Sequence, residues 1–223
     1  MRMVKSHLIA QLLNLLAAGL LLLSFSMLSR RRTQRLINLY AWQGSILFLS
    51  TCLVAYDAGL QELWYSAALT LLLKVILLPV ILHRLIQRLG AQWDTEPVVN
   101  IPLTMLAGLA LVIFAFGLAE PVSHLATTIT RNTLGIALAV ILLSFLMMIT
   151  RRKALTQVIG FLAMENGLFF AATSATYGMP MVIELGIALD VLVGVFILGI
   201  FFFQIREQFD SLDLHHLESL KDE

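Results

Sequence analysis

Three ionisable residues lie inside apolar stretches of the chain. Glu165 falls within the apolar segment 158–176, Asp190 falls within the segment 181–203, and Lys74 interrupts a run of leucine, isoleucine and valine. An ionisable group at the centre of a bilayer costs about 2.5 to 3.5 kcal/mol on insertion scales, and such groups usually face a protein interior or a wet cavity and mark an ion or proton path. These residue types therefore indicate proton or ion movement inside a membrane.

The three charges are predicted to lie at one depth. If both acidic segments are helices rising about 1.5 Å per residue, Glu165 lies roughly 18 Å and Asp190 roughly 15 Å from the turn at 177–180 that joins them. Lys74 lies roughly 15 Å from Trp64, an aromatic residue that belongs at the outer interface. We therefore expect one cation and two carboxylates near the middle of a hydrocarbon layer about 30 Å thick.

Pro79 is expected to disturb the helix that carries Lys74. Because proline has no backbone N–H, the carbonyl of Val75 loses its helical partner, which would kink the helix or hold water beside Lys74. A kinked and hydrated helix would suit a proton carrier. The alternative is that Lys74 pairs with a carboxylate only to lock two helices together. A retinal Schiff base is disfavoured, because the last apolar segment carries no comparable lysine.

Composition indicates an all-α polytopic membrane protein. Of the 223 residues, 59% are hydrophobic and only 13% are charged, whereas a soluble domain is about one-quarter charged. We expect a four-helix region at 1–131, a three-helix region at 132–206 and an amphipathic tail at 207–223. Seven apolar runs are long enough to span a bilayer: about Leu8–Leu28, Leu36–Tyr56, Leu63–Ile86, Ile101–Ala119, Asn132–Thr150, Ala154–Thr176 and Met181–Phe203.

The loop arginines and lysines predict the orientation. Most of them fall on one side of the seven predicted spans, and positive charge accumulates in cytoplasmic loops. We therefore expect the N-terminus outside and the C-terminus in the cytoplasm. The residues on the predicted cytoplasmic side are Arg30, Arg31, Arg32, Arg35, Arg84, Arg88, Arg151, Arg152, Lys153, Arg206 and Lys221; those outside are Arg2, Lys5 and Arg131.

Weaker signals surround the three charges. Glu184 lies one turn inside the last span, where an interfacial acid or cap is favoured over a member of a relay. The pair Asn166-Gly167, beside Glu165, is expected to permit close helix contact and an interhelical hydrogen bond. In the tail, apolar residues recur at near-helical spacing, which suits packing against a cytoplasmic partner or the membrane surface.

No catalytic, metal or cofactor site is predicted in the chain. Cys52 is the single cysteine, so no cysteine pair can hold zinc or an iron–sulfur cluster. His215 and His216 are adjacent and point about 100° apart on a helix, which disfavours a shared metal ion. The net charge of +1 gives no indication of nucleic-acid binding.

Three strings give the chain a resemblance to a known family. They are Ile159-Gly160-Phe161-Leu162-Ala163-Met164-Glu165-Asn166-Gly167, Glu184-Leu185-Gly186-Ile187-Ala188-Leu189-Asp190 and Leu212-Asp213-Leu214-His215-His216-Leu217. With them the chain resembles, over nearly its whole length, hydrogenase-4 component E of the group 4 membrane hydrogenases. The resemblance implies a small integral subunit of the cell inner membrane. It also implies that hydrogen is oxidised or evolved on other chains, so this subunit would have no active site and no cofactor.

The part from about 132 to 206 is also similar to the K-type subunit of respiratory complex I and to the C subunit of multisubunit cation/proton antiporters. Asp190 falls on the acidic residue in the last helix of that subunit, where the K-type proteins have Glu. The other K-type glutamate falls on Leu162, and Glu165 lies one turn later on the same face. The resemblance implies antiporter-like membrane subunits and soluble hydrogenase-type subunits as partners.

The favoured mechanism is a lateral proton relay in which Glu165 and Asp190 exchange protons through water while Lys74 biases both by its charge. Two alternatives remain open at this stage. One is a structural subunit whose buried charges only fix helix packing and assembly. The other is a subunit of a Na⁺/H⁺ antiporter, because carboxylates serve both ions.

Overall fold

The computed structural model of the chain describes residues 2–88, 99–123 and 128–176, together with the single positions Gly194 and Gly199. The described ranges are helical throughout, apart from short turns. The helices are α1 (Arg2–Ser29), α2 (Thr33–Ala58), α3 (Gln61–Thr70), a π-helical segment (Leu71–Leu77), α4 (Leu78–Arg88), α5 (Ile101–Ser123), α6 (Thr128–Thr150) and α7 (Ala154–Thr176).

Six helical stretches are long and apolar enough to cross a membrane. The third of them runs without a break through α3, the π-helical segment and most of α4. The prediction of an all-helical polytopic membrane protein is confirmed, and six of the seven predicted spans correspond to helices. The six are His7–Ser29, Thr33–Ala58, Gln61–Gln87, Ile101–Pro121, Thr133–Thr150 and Leu155–Thr173. The predicted seventh span at 181–203 and the tail at 207–223 lie outside the described residues.

The helices pack around two large apolar clusters. α2 is central, because it contacts α1, α3, α4, α7 and the π-helical segment, while α6 contacts α1, α5 and α7. The first group, the loop-end cluster, comprises Met27, Leu28, Leu36, Ile37, Tyr40, Leu78, Leu82, Ile86, Leu143, Met147, Ile159, Leu162 and Ala163. The second, the central cluster, comprises Ala17, Leu20, Leu47, Ala137, Val140, Phe169 and Phe170.

Small residues let α6 and α7 approach closely. A Cβ atom on Gly160 would lie 2.8 Å from Cγ of Met148, and one on Gly167 would lie 3.0 Å from side-chain atoms of Val140 and Ile141. Small residues at helix interfaces allow this kind of close contact in membrane proteins. The expectation that Gly167 permits close helix contact is confirmed.

Arg151 ties two of the basic loops to one end of the bundle. It lies between α6 and α7 and is 2% exposed, and its guanidinium Nη2 donates to the carbonyls of Leu28 at 2.9 Å and Arg30 at 2.8 Å. Carbonyls at a helix C-terminus have no partner within the helix, so Arg151 satisfies the end of α1. Burial lowers the pKa of the Arg151 guanidinium, and the positive charge of Arg31 lowers it further.

The sequence analysis predicted Arg151 only as a basic residue of a cytoplasmic loop. That prediction is incomplete, because the side chain is buried and links two loops. The loop-end cluster brings Ile86 of α4 to the same region as Leu28, Leu36 and Met147. The α1–α2 turn, the end of α4 and the α6–α7 turn therefore lie at one end of the bundle. Which side of the membrane this end faces stays a prediction.

Candidate functional site

Lys74 and Glu165 form an ion pair inside the bundle. The Lys74 ammonium Nζ lies 3.2 Å from Oε1 of Glu165, and the two side chains are 0% and 3% exposed. Glu165 is the central residue of α7 (Ala154–Thr176), and Lys74 is the central residue of the span Gln61–Gln87. Each therefore lies roughly 16 to 20 Å along its helix from either end. The two residues share one level, as counting from the span ends predicted.

Gly44 of α2 positions the backbone of Lys74. A Cβ atom at Gly44 would lie 3.2 Å from the carbonyl oxygen of Lys74 and 3.3 Å from its Cβ atom. Because glycine has no side chain, α2 comes this close to another main chain without the tight contact that a Cβ atom would make. Because α2 also packs against α7, it is the common neighbour of the two helical segments that carry the pair.

The segment that carries Lys74 is wound as a π-helix. It spans Leu71–Leu77, and at its end the N–H of Leu78 donates to the carbonyl of Leu73, five residues back. With a spacing of five residues, the carbonyl that Pro79 cannot serve as a donor is that of Lys74 instead of that of Val75. The disturbance expected near Pro79 is observed as wider winding in the segment just before it. π-Helical turns are rare and occur frequently at functional sites.

Phe169 supplies a second contact to the ammonium group. The Nζ atom of Lys74 lies 5.3 Å from the centroid of the Phe169 ring, which is within the range of a cation–π interaction. Phe169 follows Glu165 by one helical turn, so α7 offers both an anion and an aromatic face to the same cation. Sequence reasoning missed Phe169, although its spacing of four residues from Glu165 was a usable signal.

Asn166 departs from expectation. Its side chain is 0% exposed, and among the described residues neither its amide nitrogen nor its amide oxygen makes a hydrogen bond. For the described helices, the predicted interhelical hydrogen bond of Asn166 is therefore wrong.

Gln43 of α2 is a further buried polar residue that sequence reasoning missed. Its Nε2 donates to Oγ of Ser24 in α1 at 2.7 Å, and the Ser24 hydroxyl donates to the carbonyl of Leu20 at 2.9 Å. An amide inside the apolar segment Leu36–Tyr56 was the available signal. α1 and α2 are thus joined by a polar contact in the interior.

The other predicted site residues, Asp190 and Glu184, lie outside the described residues. Their distance from Glu165 therefore stays a prediction. Within the described ranges, no group of three or more histidine, cysteine, aspartate or glutamate side chains is arranged to hold a metal ion.

A helical bundle of membrane-spanning length with a lysine–glutamate pair buried at its centre defines a polytopic membrane protein with a charged interior site. The chain is 33% identical over 212 residues to an uncharacterized protein of Mycobacterium tuberculosis, a match that covers 95% of this chain and 96% of that protein. It is 26% identical over 213 residues to Hydrogenase-4 component E of Escherichia coli, covering 95% of this chain and 98% of that protein. Hydrogenase-4 component E of Shigella flexneri matches to the same extent.

The chain belongs to the hydrogenase-4 component E family. No family model matches it, and no solved structure matches it significantly.

Proposed function

We propose that the chain is a non-catalytic membrane subunit of a hydrogenase complex and that it carries part of a proton path at the middle of the membrane. The family supports the first part, since the relatives are named as a hydrogenase component. The single observation that carries the second part is the Lys74–Glu165 pair, buried at the centre of two spans with 3.2 Å between the charged groups.

Energetics favour a functional reason for this pair. Removing two charges from water costs several kcal/mol per ion, and replacement of a buried pair by apolar residues is often neutral or stabilising. Two apolar side chains would therefore hold the third span against α7 at least as well. A site that must exchange protons, in contrast, needs a carboxylate whose charge responds to its surroundings.

In the proposed relay, Glu165 takes up and releases protons and exchanges them with Asp190 through water. Lys74 stabilises the carboxylate form of Glu165 by its positive charge, so a change in their separation or hydration changes the proton affinity of the carboxyl group. Glu184 and Asn166 are accessory members. Asp190 enters the proposal through its predicted depth and through its match to the acidic residue of the K-type subunit.

The same resemblance supports the proposed surroundings. Residues 132–206 would form a three-helix unit beside antiporter-like subunits, in the cell inner membrane, with the C-terminus in the cytoplasm. The tail at 207–223 would contact the soluble hydrogenase-type subunits, because its apolar residues recur at near-helical spacing beyond the last predicted span.

A structural role is the second candidate, and the ion pair itself favours it. Lys74 and Glu165 are 91 residues apart in the chain, and their contact ties the third span to α7. In this candidate the charges fix the assembly of the helices and no proton moves between them.

Charge-neutral variants in the whole complex separate the two candidates. Glu165→Gln and Asp190→Asn keep the size of the side chain but cannot exchange a proton near neutral pH. We expect both variants to retain all subunits on purification and to transfer electrons to an artificial acceptor, while proton uptake into sealed vesicles falls at least tenfold. Asp190→Glu should keep partial activity, since the K-type subunits have Glu at that position.

Glu62→Gln is the matched control, because Glu62 is an exposed carboxylate at the start of α3, and it should pump like the parent. Proton uptake at the parental rate in Glu165→Gln would refute the relay. Recovery of uptake in the Lys74→Met/Glu165→Gln double variant, which leaves no uncompensated charge, would favour the structural role. Uptake that depends on sodium would indicate an antiporter.

A further inference from the structure

Four helices each contribute one buried polar side chain at the level where the two apolar clusters meet. The exposed fractions of these side chains are between 0% and 3%. Along each helix the polar residue lies between a member of the central cluster and a member of the loop-end cluster, so all four lie in the zone where the clusters meet. Ser144 lies opposite Gly160 and is therefore nearer the loop end than Asn166. They are Ser24 of α1, Gln43 of α2, Ser144 of α6 and Asn166 of α7.

The faces of α2 and α7 match at this level. Tyr40 and Leu162 belong to the loop-end cluster, and about two turns further along the same helices Leu47 and Phe170 belong to the central cluster. On α2, Gln43 lies between Tyr40 and Leu47. On α7, Asn166 lies between Leu162 and Phe170. The side chains of both residues are therefore enclosed by the same two clusters.

Hydrogen bonds fix the orientation of the Gln43 amide. Because the Ser24 hydroxyl donates to the carbonyl of Leu20, it must accept from Gln43, and the Gln43 nitrogen therefore faces Ser24. In the part of the chain that the structure describes, the amide oxygen of Gln43 is buried without a hydrogen-bond partner, as are both amide atoms of Asn166 and the hydroxyl of Ser144. Buried polar atoms without partners are rare in folded proteins and costly.

Water can supply the hydrogen bonds that these buried polar groups lack. The amide oxygens of Gln43 and Asn166 accept hydrogen bonds, the amide nitrogen of Asn166 donates, and the Ser144 hydroxyl does either. A water molecule donates two hydrogen bonds and accepts two, and buried waters typically satisfy about three such groups each. A metal cation does not match, because the Asn166 nitrogen is a donor and the Lys74 ammonium lies at the same level.

We propose that Gln43, Ser144 and Asn166, with Ser24 orienting Gln43, form a binding site for buried water between α1, α2, α6 and α7. Asn166 directly follows Glu165 on α7, about 100° further around the helix. On the basis of the relay proposed above, this water takes part in the exchange of protons between Glu165 and Asp190. The O–H bond of the protonated Glu165 carboxyl group breaks as a new O–H bond forms on the water, and the water releases a different proton to the Asp190 carboxylate.

A density map of the whole complex at a resolution that shows waters tests the site directly. We expect a peak within hydrogen-bond distance of both the Gln43 amide oxygen and the Asn166 amide. A direct amide–amide contact without a peak would overturn the site. A peak surrounded by five or more oxygens at cation–ligand distances would identify a metal ion and would also overturn it.

Variants test the proton path through the site. Asn166→Leu keeps the branched shape of the side chain and removes both polar amide atoms, and Gln43→Met removes the unmet oxygen while keeping a long side chain. We expect at least tenfold slower proton uptake into vesicles in either variant, with subunit composition and electron transfer to an artificial acceptor unchanged. If only one of the two variants assembles, the other still decides the outcome.

Thr173→Val is the matched control, because Thr173 is buried in α7 two turns beyond Asn166 and its hydroxyl bonds only within its own helix. It should take up protons at the parental rate. Parental uptake in assembled Asn166→Leu would overturn the path through the water site even if Glu165→Gln abolishes uptake. Parental uptake in Glu165→Gln would instead refute the relay itself and leave the water peak as an independent finding.

Discussion

Substitution of Lys74 and Glu165, singly and together, is predicted to have distinct effects on the free energy of unfolding. At 3.2 Å and an effective dielectric constant of about 20, two unit charges attract each other by about 5 kcal/mol. Removing one partner of a buried pair typically costs about 3 to 5 kcal/mol, because the other charge is left without compensation. We therefore expect Lys74→Met and Glu165→Gln each to lower the free energy of unfolding by about that amount.

The double variant should recover most of this loss. With both charges gone, no uncompensated ion remains, and such replacements are often neutral. The coupling free energy from the double-mutant cycle should be about 3 kcal/mol or more, measured by unfolding in mixed detergent micelles. Lys74→Met combined with Glu62→Gln is the control, and its two effects should add. If the losses from Lys74→Met and Glu165→Gln also add, the two residues are not coupled.

Proton uptake in the same three variants separates the two proposed roles. A relay needs the exchangeable carboxyl group, so the double variant should be stable and still inactive. A structural lock needs only a stable contact, so the double variant should recover uptake together with stability. Recovery of uptake in the double variant would refute the relay.

Gly44→Ala should cost about 1 to 3 kcal/mol of stability by thermal unfolding, because its Cβ atom would press on the Lys74 backbone at 3.2 Å. Gly117→Ala, which would meet nothing within 4 Å, should be neutral or stabilising; an equal loss in both would contradict the close approach. Arg151→Met should lose about 1.5 to 3 kcal/mol of stability, because the carbonyls at the end of α1 lose their hydrogen-bond donor. Arg152→Met, at an exposed position, should lose little stability, and equal losses in both variants would rule out the cap. A reporter fused in the α6–α7 turn should read cytoplasmic and one at the N-terminus external; the reverse result would overturn the predicted orientation.

The shared level of Lys74 and Glu165 could be predicted from the sequence, and the choice of partner could not. The level of Lys74 and Glu165 follows from residue counts along helices of known rise. Which carboxylate meets Lys74 depends on the direction that each helix faces, and that direction is set by packing contacts such as the approach of Gly44. The sequence therefore left the partner of Lys74 open.

Other differences between the sequence predictions and the structure arise mainly from contacts to the main chain. Pro79 predicted a disturbed helix, but the choice between a kink and π winding depends on how neighbouring helices hold the main chain. Arg151 gave no signal of its role, because its acceptors are carbonyl groups of Leu28 and Arg30, and every residue has a carbonyl group. Polar residues of short reach, such as Gln43, are easily passed over in an apolar run because they carry no charge.

The separation of 91 residues between Lys74 and Glu165 has a consequence for biosynthesis. The ribosome completes the third span well before it makes α7, so Lys74 reaches the translocation machinery without its carboxylate. A central lysine opposes insertion by about 2.5 to 3.5 kcal/mol, and the leucines and isoleucines around it must outweigh that cost alone. Insertion of this helix is therefore decided by its own apolar residues, and the ion pair forms only when the later helix arrives.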